Sequence, residues 1–276
     1  MGNYIIKLWM RRFMPKPSLL QQLEDRIPAI SDEILGHYFN HTCASVKTDG
    51  SIVTEADTAM QQSIQTELAQ LAPGVAMLGE EMSAQQQIDI VSTEPSYWCL
   101  DPLDGTNNFH HGVPLFAVSL ALIEQGELAL ALVYDPVRKE CFSADRHSGL
   151  RINGCAASTI EQPDTLKHCL ASVDFKRLTT QTRLRLCDAM PFKSQRNIGT
   201  CALEWAWLAA GRTQLLLHGG EKFWDYAAGC LLLQQAGGFS SSDGEQAIFN
   251  NTLEARPVIA ASNSTLYRQW VDFITA

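Results

Sequence analysis

Apolar residues at Leu19, Leu20, Leu23, Ile27, Ile30 and Ile34 recur three and four apart, which lines one face of a helix. Residues 18–39 are therefore expected to form a covering helix, with Pro28 as a point of kinking. A turn at Thr48-Asp49-Gly50 leads to Ser51-Ile52-Val53. Thr54 followed three residues later by Asp57 is a capping-box signature, and Met60, Ile64, Leu68 and Leu71 mark one face of a second helix, which Pro73-Gly74 ends. The pattern then shortens to strand-like runs at 75–78, 97–100, 116–123, 128–134 and 140–144, with a polar stretch of Gln and Ser read as a linker between the first two. Gly126 and Pro136 space the last three like an antiparallel meander. Beyond residue 161 the rhythm changes to alternation, with strands at 168–174, 192–197, 213–217 and 257–261 and helices at 180–189, 201–210 and 226–236 and at the end. Gly211 and Gly237-Gly238 stop two of those helices. The expected architecture is an α/β (α+β) chain with two sheets, organised as one domain over 18–276 with halves at 18–160 and 161–276.

Composition narrows this. A chain of 276 residues, 46% of them hydrophobic, buries enough to fold. The formal charge is −9, from 21 basic and 30 acidic side chains, and no basic stripe stands ready to neutralise a phosphate backbone, which argues against a nucleic acid polymer as partner. Eight cysteines show no C-x-x-C pair and mostly apolar neighbours, the usage of buried thiols in a reducing, cytoplasmic setting. No apolar run approaches the roughly 20 residues that span a bilayer, so no stable membrane anchor is expected. The opening MGNYIIKLWMRRFMPKPS lacks a signal peptide's apolar region and cleavage site, and Ile6 stands where myristoylation wants Ser or Thr. Residues 1–17 read as a disordered extension, or as the product of an upstream start with Met14 as the functional one.

The candidate chemistry lies in DPLDGTNNF, residues 101–109. Asp-Pro and Asp-Gly both favour turns, and Asp101 and Asp104 are explained by that alone. Alternatively, two hard oxygen ligands at the mouth of a strand suit Mg²⁺, with the Leu103 carbonyl as a further donor. Gly105-Thr106-Asn107-Asn108 then offers backbone amides at a helical turn, where phosphate binds. Carboxylates for metal beside amides for phosphate imply a phosphate ester bridging the two. Glu80-Glu81, after an apolar strand, reads alone as a solvated acidic pair; Asp225 in FWDYAAG reads as an N-cap, and Asp57 as the capping acid of Thr54. His110-His111 read as a continuation of the loop rather than as metal ligands.

In order and together, KTDGSIVTEAD, GEE, DPLDGTNNF, IGTCALEWAWLAAGR and FWDYAAGCLLLQQAGG resemble the inositol monophosphatase family of Mg²⁺-dependent, lithium-sensitive sugar phosphatases. The resemblance implies a layered αβαβα sandwich with two sheets, the sugar phosphatase fold, and a homodimer. It places metal ligands at Glu80, Asp101, the carbonyl of Leu103, Asp104 and Asp225, with Asp57 helping to position a more weakly held metal and its water. Thr106 with Glu80 would orient the attacking water; Asp104, Gly105 and Thr106 would face the phosphate; Gly199, Thr200 and Cys201 would line the alcohol side. The implied reaction is direct displacement at a phosphomonoester such as myo-inositol 1-phosphate, with two or three Mg²⁺ ions supplying an activated water and neutralising charge.

One departure stands out. Seven residues before the Trp-Asp aspartate, inositol-specific relatives carry a glutamate that accepts substrate hydroxyls, whereas this chain has His218, with Glu221 nearby as a substitute. His218 therefore joins the candidate substrate-binding residues. The alternatives are a 3′(2′),5′-bisphosphate nucleotidase acting on 3′-phosphoadenosine 5′-phosphate, for which Lys222, Arg212 and His218 are the available cations, and fructose-1,6-bisphosphatase or histidinol-phosphatase activity. From another class comes a catalytically silent binding protein of the same fold.

Overall fold

The computed structural model describes residues 17–39, 44–46, 52–158 and 160–276. The Thr48-Asp49-Gly50 turn, and residues 1–16 of the expected extension, lie outside the described residues.

β1 (Ala44–Val46) and β2 (Ile52–Thr54) pair antiparallel by themselves, and a seven-stranded sheet is built from β3 (Ala76–Gly79), β4 (Ser96–Asp104), β5 (Ala117–Glu124), β6 (Glu127–Asp135), β7 (Glu140–Asp145), β8 (Arg151–Ile152) and β9 (Cys155–Ala156), in that order. β3 and β4 run parallel, and every later pair is antiparallel. The β5–β6 hairpin closes through Gln125-Gly126, both with positive φ, the turn geometry that matches strand twist. Alternation along β5 and β6 decides what each face meets. Val118, Leu120, Leu122 and Leu132 pack under α1 (Leu19–Tyr38) and α2 (Glu55–Leu71), against Leu23, Ile27, Met60 and Ile64. Ala117, Ala121, Val133 and Phe142 point the other way, onto α6 (Cys201–Ala209) and α7 (Phe223–Gln235).

The five-stranded sheet has the order β11 (Ser194–Arg196), β10 (Leu170–Asp174), β12 (Leu215–Glu221), β14 (Arg256–Ala261) and β13 (Phe239–Ser242). β10 is parallel to both β11 and β12. Its inner face, with Leu216, Val258 and Ala260, closes the core around α6 and α7. Its outer face, with Val173, Leu215, Leu217 and Ile259, is covered by Leu186 of α5 (Thr180–Ala189) and by Leu266 and Trp270 of α8 (Ser264–Thr275). Three cores thus separate five layers, helix, sheet, helix, sheet, helix. α6 lies between two sheets, and seven of its nine residues are buried, which is why its sequence is apolar all round rather than striped.

The structure corrects several expectations. The supposed linker after Glu81 holds a helix, α3 (Ala84–Thr93), started by a reciprocal cap between Ser83 and Gln86; its only long apolar residues are Ile88, Ile90 and Val91, and Ile88 is exposed. The strand expected at 97–100 continues to Asp104, and that expected at 213–217 continues to Glu221, so His218 is a strand residue. β8, β9 and the serine-rich β13 were not foreseen, being too short or too polar to alternate visibly. α1 runs through Pro28 as one helix. Cys99, Cys141, Cys169 and Cys230 are buried as expected, but Cys155 and Cys187 are exposed, and no disulfide joins the described cysteines. No helix among the described residues is long and apolar enough to cross a membrane.

Candidate metal centre

Residues three apart on a regular strand point to opposite faces, so Asp101 and Asp104 should not meet. They do because β4 carries an irregularity between them: Asp101 pairs with Ser119 and Asp104 with Ala117, three residues opposite two. The extra residue in Pro102-Leu103 sends Leu103 into the outer core and returns Asp104 to the inner face beside Asp101. The Leu103 amide donates to Asp101 Oδ1 at 3.0 Å.

Asp225 arrives from the opposite direction. It lies in the first turn of α7, where its Oδ2 accepts the Lys222 amide at 2.8 Å, and the Ser119 hydroxyl donates to the Trp224 carbonyl at 3.1 Å, tying this helix start to β5. One carboxylate oxygen from each of Asp101, Asp104 and Asp225 comes within 4.8 Å of the others. Glu80 follows β3, and its amide extends the parallel pairing to the Leu100 carbonyl at 3.1 Å, so both strands deliver acids at the same end. Its charge reaches Asp101 and Asp225, although it lies outside the tight group of three. Burial pushes the Asp101 and Asp225 carboxyls well above the ordinary range, and the neighbouring acids push them further. For Asp104 burial again raises the value, opposed by hydrogen bonds from Thr200, Ala202 and Cys201 and by His218. Such a cluster is electrostatically incomplete by itself. Hard oxygen donors converging in a half-buried cleft fit Mg²⁺, whose charge offsets the repulsion.

The surrounding residues fix these carboxylates. Asp104 Oδ2 accepts the Ala202 amide at 2.7 Å and the Thr200 hydroxyl, so a β4 carboxylate caps α6. The Thr106 hydroxyl lies 2.9 Å from the Leu103 carbonyl and 3.1 Å from Asp57 Oδ1, and its single proton serves one at a time. Asp57 is buried, and its other oxygen accepts the Thr54 amide at 2.7 Å and hydroxyl at 2.6 Å; the capping acid and the site residue are the same carboxylate. Gly105 opens α4 (Thr106–His110) at a φ of 89°, and a Cβ there would crowd the Leu115 carbonyl and Thr200. Asn108 donates to the Leu115 and Ile198 carbonyls at 2.8 and 2.7 Å, holding Gly199 beside this turn. The side chain of Asn108 is thus a brace.

On the far side the picture differs from the sequence expectation. His218 is 5% exposed, its Nδ1 accepting the Gly220 amide at 3.1 Å and its Nε2 3.2 Å from Asp174 Oδ2, so it is engaged within the protein. Glu221 is fully buried, accepts the Trp205 indole N–H on Oε2 at 2.7 Å while Oε1 has no hydrogen-bond partner among the described residues, and burial holds its carboxyl well above the usual range. Burial likewise raises the Cys201 thiol, which is no nucleophile. Arg212 is matched by Glu140 at 2.6 Å over the Phe142 ring and is removed from the list of substrate cations. Lys222 is exposed. Sequence reasoning missed Asp174, Arg177 and Glu204; the available signal was that Asp174, like Glu80 and Asp101, closes an apolar strand, but nothing local paired it with His218.

Two sheets sandwiching paired helices, with acids gathered where a bulged strand end meets a helix start, define the sugar phosphatase class of fold. The profile of the inositol monophosphatase family matches residues 21–273, and the chain belongs to that family, whose members hydrolyse phosphate monoesters. It is 35% identical over 215 residues to the inositol-1-monophosphatase of Mesorhizobium japonicum, covering 75% of this chain and 78% of the relative. It is 38% identical over 197 residues to Nus factor SuhB of Pseudomonas aeruginosa, covering 68% and 71%. The crystal structure of extragenic suppressor protein SuhB from Bartonella henselae matches with a TM-score of 0.81 at 28% identity, over 93% of this chain and 98% of that one.

Proposed function

We propose that the protein is a Mg²⁺-dependent phosphomonoesterase that hydrolyses a small polyol phosphate, of the kind of myo-inositol 1-phosphate, by direct attack of water. The observation that carries this reading is the β4 irregularity that turns Asp101 and Asp104 to one face, opposite Asp225. Asp101, Asp104, Asp225, Glu80 and the Leu103 carbonyl would hold two or three ions. When bound, Mg²⁺ supplies a water of lowered pKa and neutralises phosphate charge. The protein's own part is orientation. Thr106, held between Asp57 and the Leu103 carbonyl, and Glu80 position the water, and the amides of Gly105 and Thr106 receive phosphate oxygens. Thr200 and Ala202 fix the Asp104 carboxylate. Lithium sensitivity, a cytoplasmic location and a homodimer belong to the same proposal.

A second reading is favoured by Arg177, which is exposed, makes no ion pair among the described residues, and carries a charge felt at Asp225. It suits an ester with a second anionic group, such as 3′-phosphoadenosine 5′-phosphate. Mg²⁺-dependent phosphate release from both esters, assayed side by side, decides: preference for the inositol ester is expected, and preference for the nucleotide selects the second reading. Asp104→Asn should lower release by at least about 100-fold and weaken Mg²⁺ binding by calorimetry. A parent protein that binds Mg²⁺ but releases no phosphate from either ester would instead be a binding module, and the proposal would fall.

A further inference from the structure

The crevice beyond the carboxyl ends of parallel strands is where α/β sheets bind ligands, and β10 and β12 end there side by side. Asp174, the last residue of β10, is in register with His218 on β12, so the two side chains project from the same face. That face is the inner one. His218 also pairs with Val258 of β14, which belongs to the core around α6 and α7, and it stands close enough to Asp104 to be felt there.

The hydrogen bonds fix the state of the pair. Since His218 Nδ1 accepts the Gly220 N–H, the ring proton sits on Nε2 and is directed at Asp174 Oδ2. Both ring nitrogens are occupied, so His218 has nothing left for a substrate. Asp174 is different. Oδ1 accepts the Lys176 amide at 2.7 Å and Oδ2 faces His218, yet a carboxylate has lone pairs for about four bonds, and this side chain is 23% exposed. The His218 hydrogen bond, with help from Lys176, holds its carboxyl below the usual range, so it stays an acceptor. The segment behind it is locked. Gly219 lets β12 touch the Arg177 backbone where any Cβ would collide, and Arg177 Nη1 donates to the Gly220 carbonyl at 2.6 Å.

We infer that Asp174 is the specificity-determining acceptor for a hydroxyl of the leaving alcohol, and that His218 is its positioning residue. The inference rests on the phosphatase reading above. A rigid, half-buried carboxylate discriminates strongly, because a ligand lacking the hydroxyl leaves it desolvated without a partner.

The test uses the full chain with Mg²⁺ and two probes, myo-inositol 1-phosphate and phenyl phosphate, whose leaving group carries no further hydroxyl. The quantity read is the ratio of kcat/KM for the two. Asp174→Ala should reduce that ratio by about 10- to 100-fold, mainly through KM for the inositol ester. Asp174→Asn, which preserves volume and guards against misfolding, should reduce it by about 10-fold. His218→Phe should move it in the same direction, and His218→Gln, which retains a donor toward Asp174, should recover part of the loss. A ratio within about 2-fold of the parent in folded Asp174→Asn protein, or a parallel fall for both esters, overturns the inference while the phosphatase reading stands. No Mg²⁺-dependent release from either ester by the parent overturns both.

Discussion

Glu204 carries a second consequence of burial at the scale of one residue. Its carboxyl is nearly inaccessible on α6, accepts the Ile198 amide at 3.1 Å, and is pushed up to about 8 by burial, opposed by that hydrogen bond and reinforced by Asp104 and Asp174. The unfolded chain loses this proton near the ordinary value of 4.5. Between the two values the folded state binds more protons than the unfolded one, so this group lowers stability as pH rises through that window. Glu204→Gln keeps an acceptor for the Ile198 amide and removes the ionisation. It should stabilise the protein by about 1–3 kcal/mol at pH 7.5 and by almost nothing at pH 4.5, read from denaturant midpoints at both values. A difference that does not change with pH would assign the gain to packing instead. Residue identities such as Asp101, Asp104, Asp225 and Thr106 were legible because each sits in a short motif; Asp174 was not, since its meaning depends on a residue 44 positions later.

At the scale of elements, the backbone decides which of these side chains meet. The irregularity in β4 is not visible in a count of apolar positions, yet without it Asp101 and Asp104 would face opposite layers. A comparable close fit joins β12 to the turn after β10. Gly219→Ala would drive a methyl into the Arg177 carbonyl, and the backbone must shift. We expect a loss of about 1–3 kcal/mol, with a larger rise in KM than fall in kcat because Asp174 and His218 are displaced. Differential scanning calorimetry and steady-state kinetics on the variant check both parts, and an unchanged melting temperature would contradict the contact. The helices α1 and α2 are readable because one face of each is apolar. α3 is not, because it is short and opens on Ala84 and three consecutive glutamines, with Ile88, Ile90 and Val91 as its only long apolar residues, and β12 is longer than its apolar run because Gly219-Gly220 looks like a turn in isolation.

For the whole molecule, the acids are the point where stability and the proposed metal binding would be linked. Asp101, Asp104 and Asp225 all have raised carboxyl values without a cation, so the metal-stripped protein retains protons that its unfolded chain has lost. Its stability should fall as pH rises above the ordinary carboxylate range toward the raised values of the folded state. Mg²⁺ must displace those protons, so the rise in Tm on adding Mg²⁺ should be larger at pH 8 than at pH 5.5, with proton release detectable as a buffer-dependent enthalpy. Equal Tm shifts at the two pH values would break this linkage.

The amino-acid sequence by itself determined the two-sheet α/β architecture, the apolar helices α1 and α2 that cover one outer face, and the residue types gathered at the candidate metal centre, because hydrophobic period and short motifs are local properties of the chain. Tertiary structure alone decided that two acids three residues apart share a face, that Arg212 is committed to Glu140, and that Asp174 stands beside His218. The reason is physical: bulges, parallel pairing and ion-pair choice are settled by contacts between segments far apart in sequence, whose energies no local pattern records.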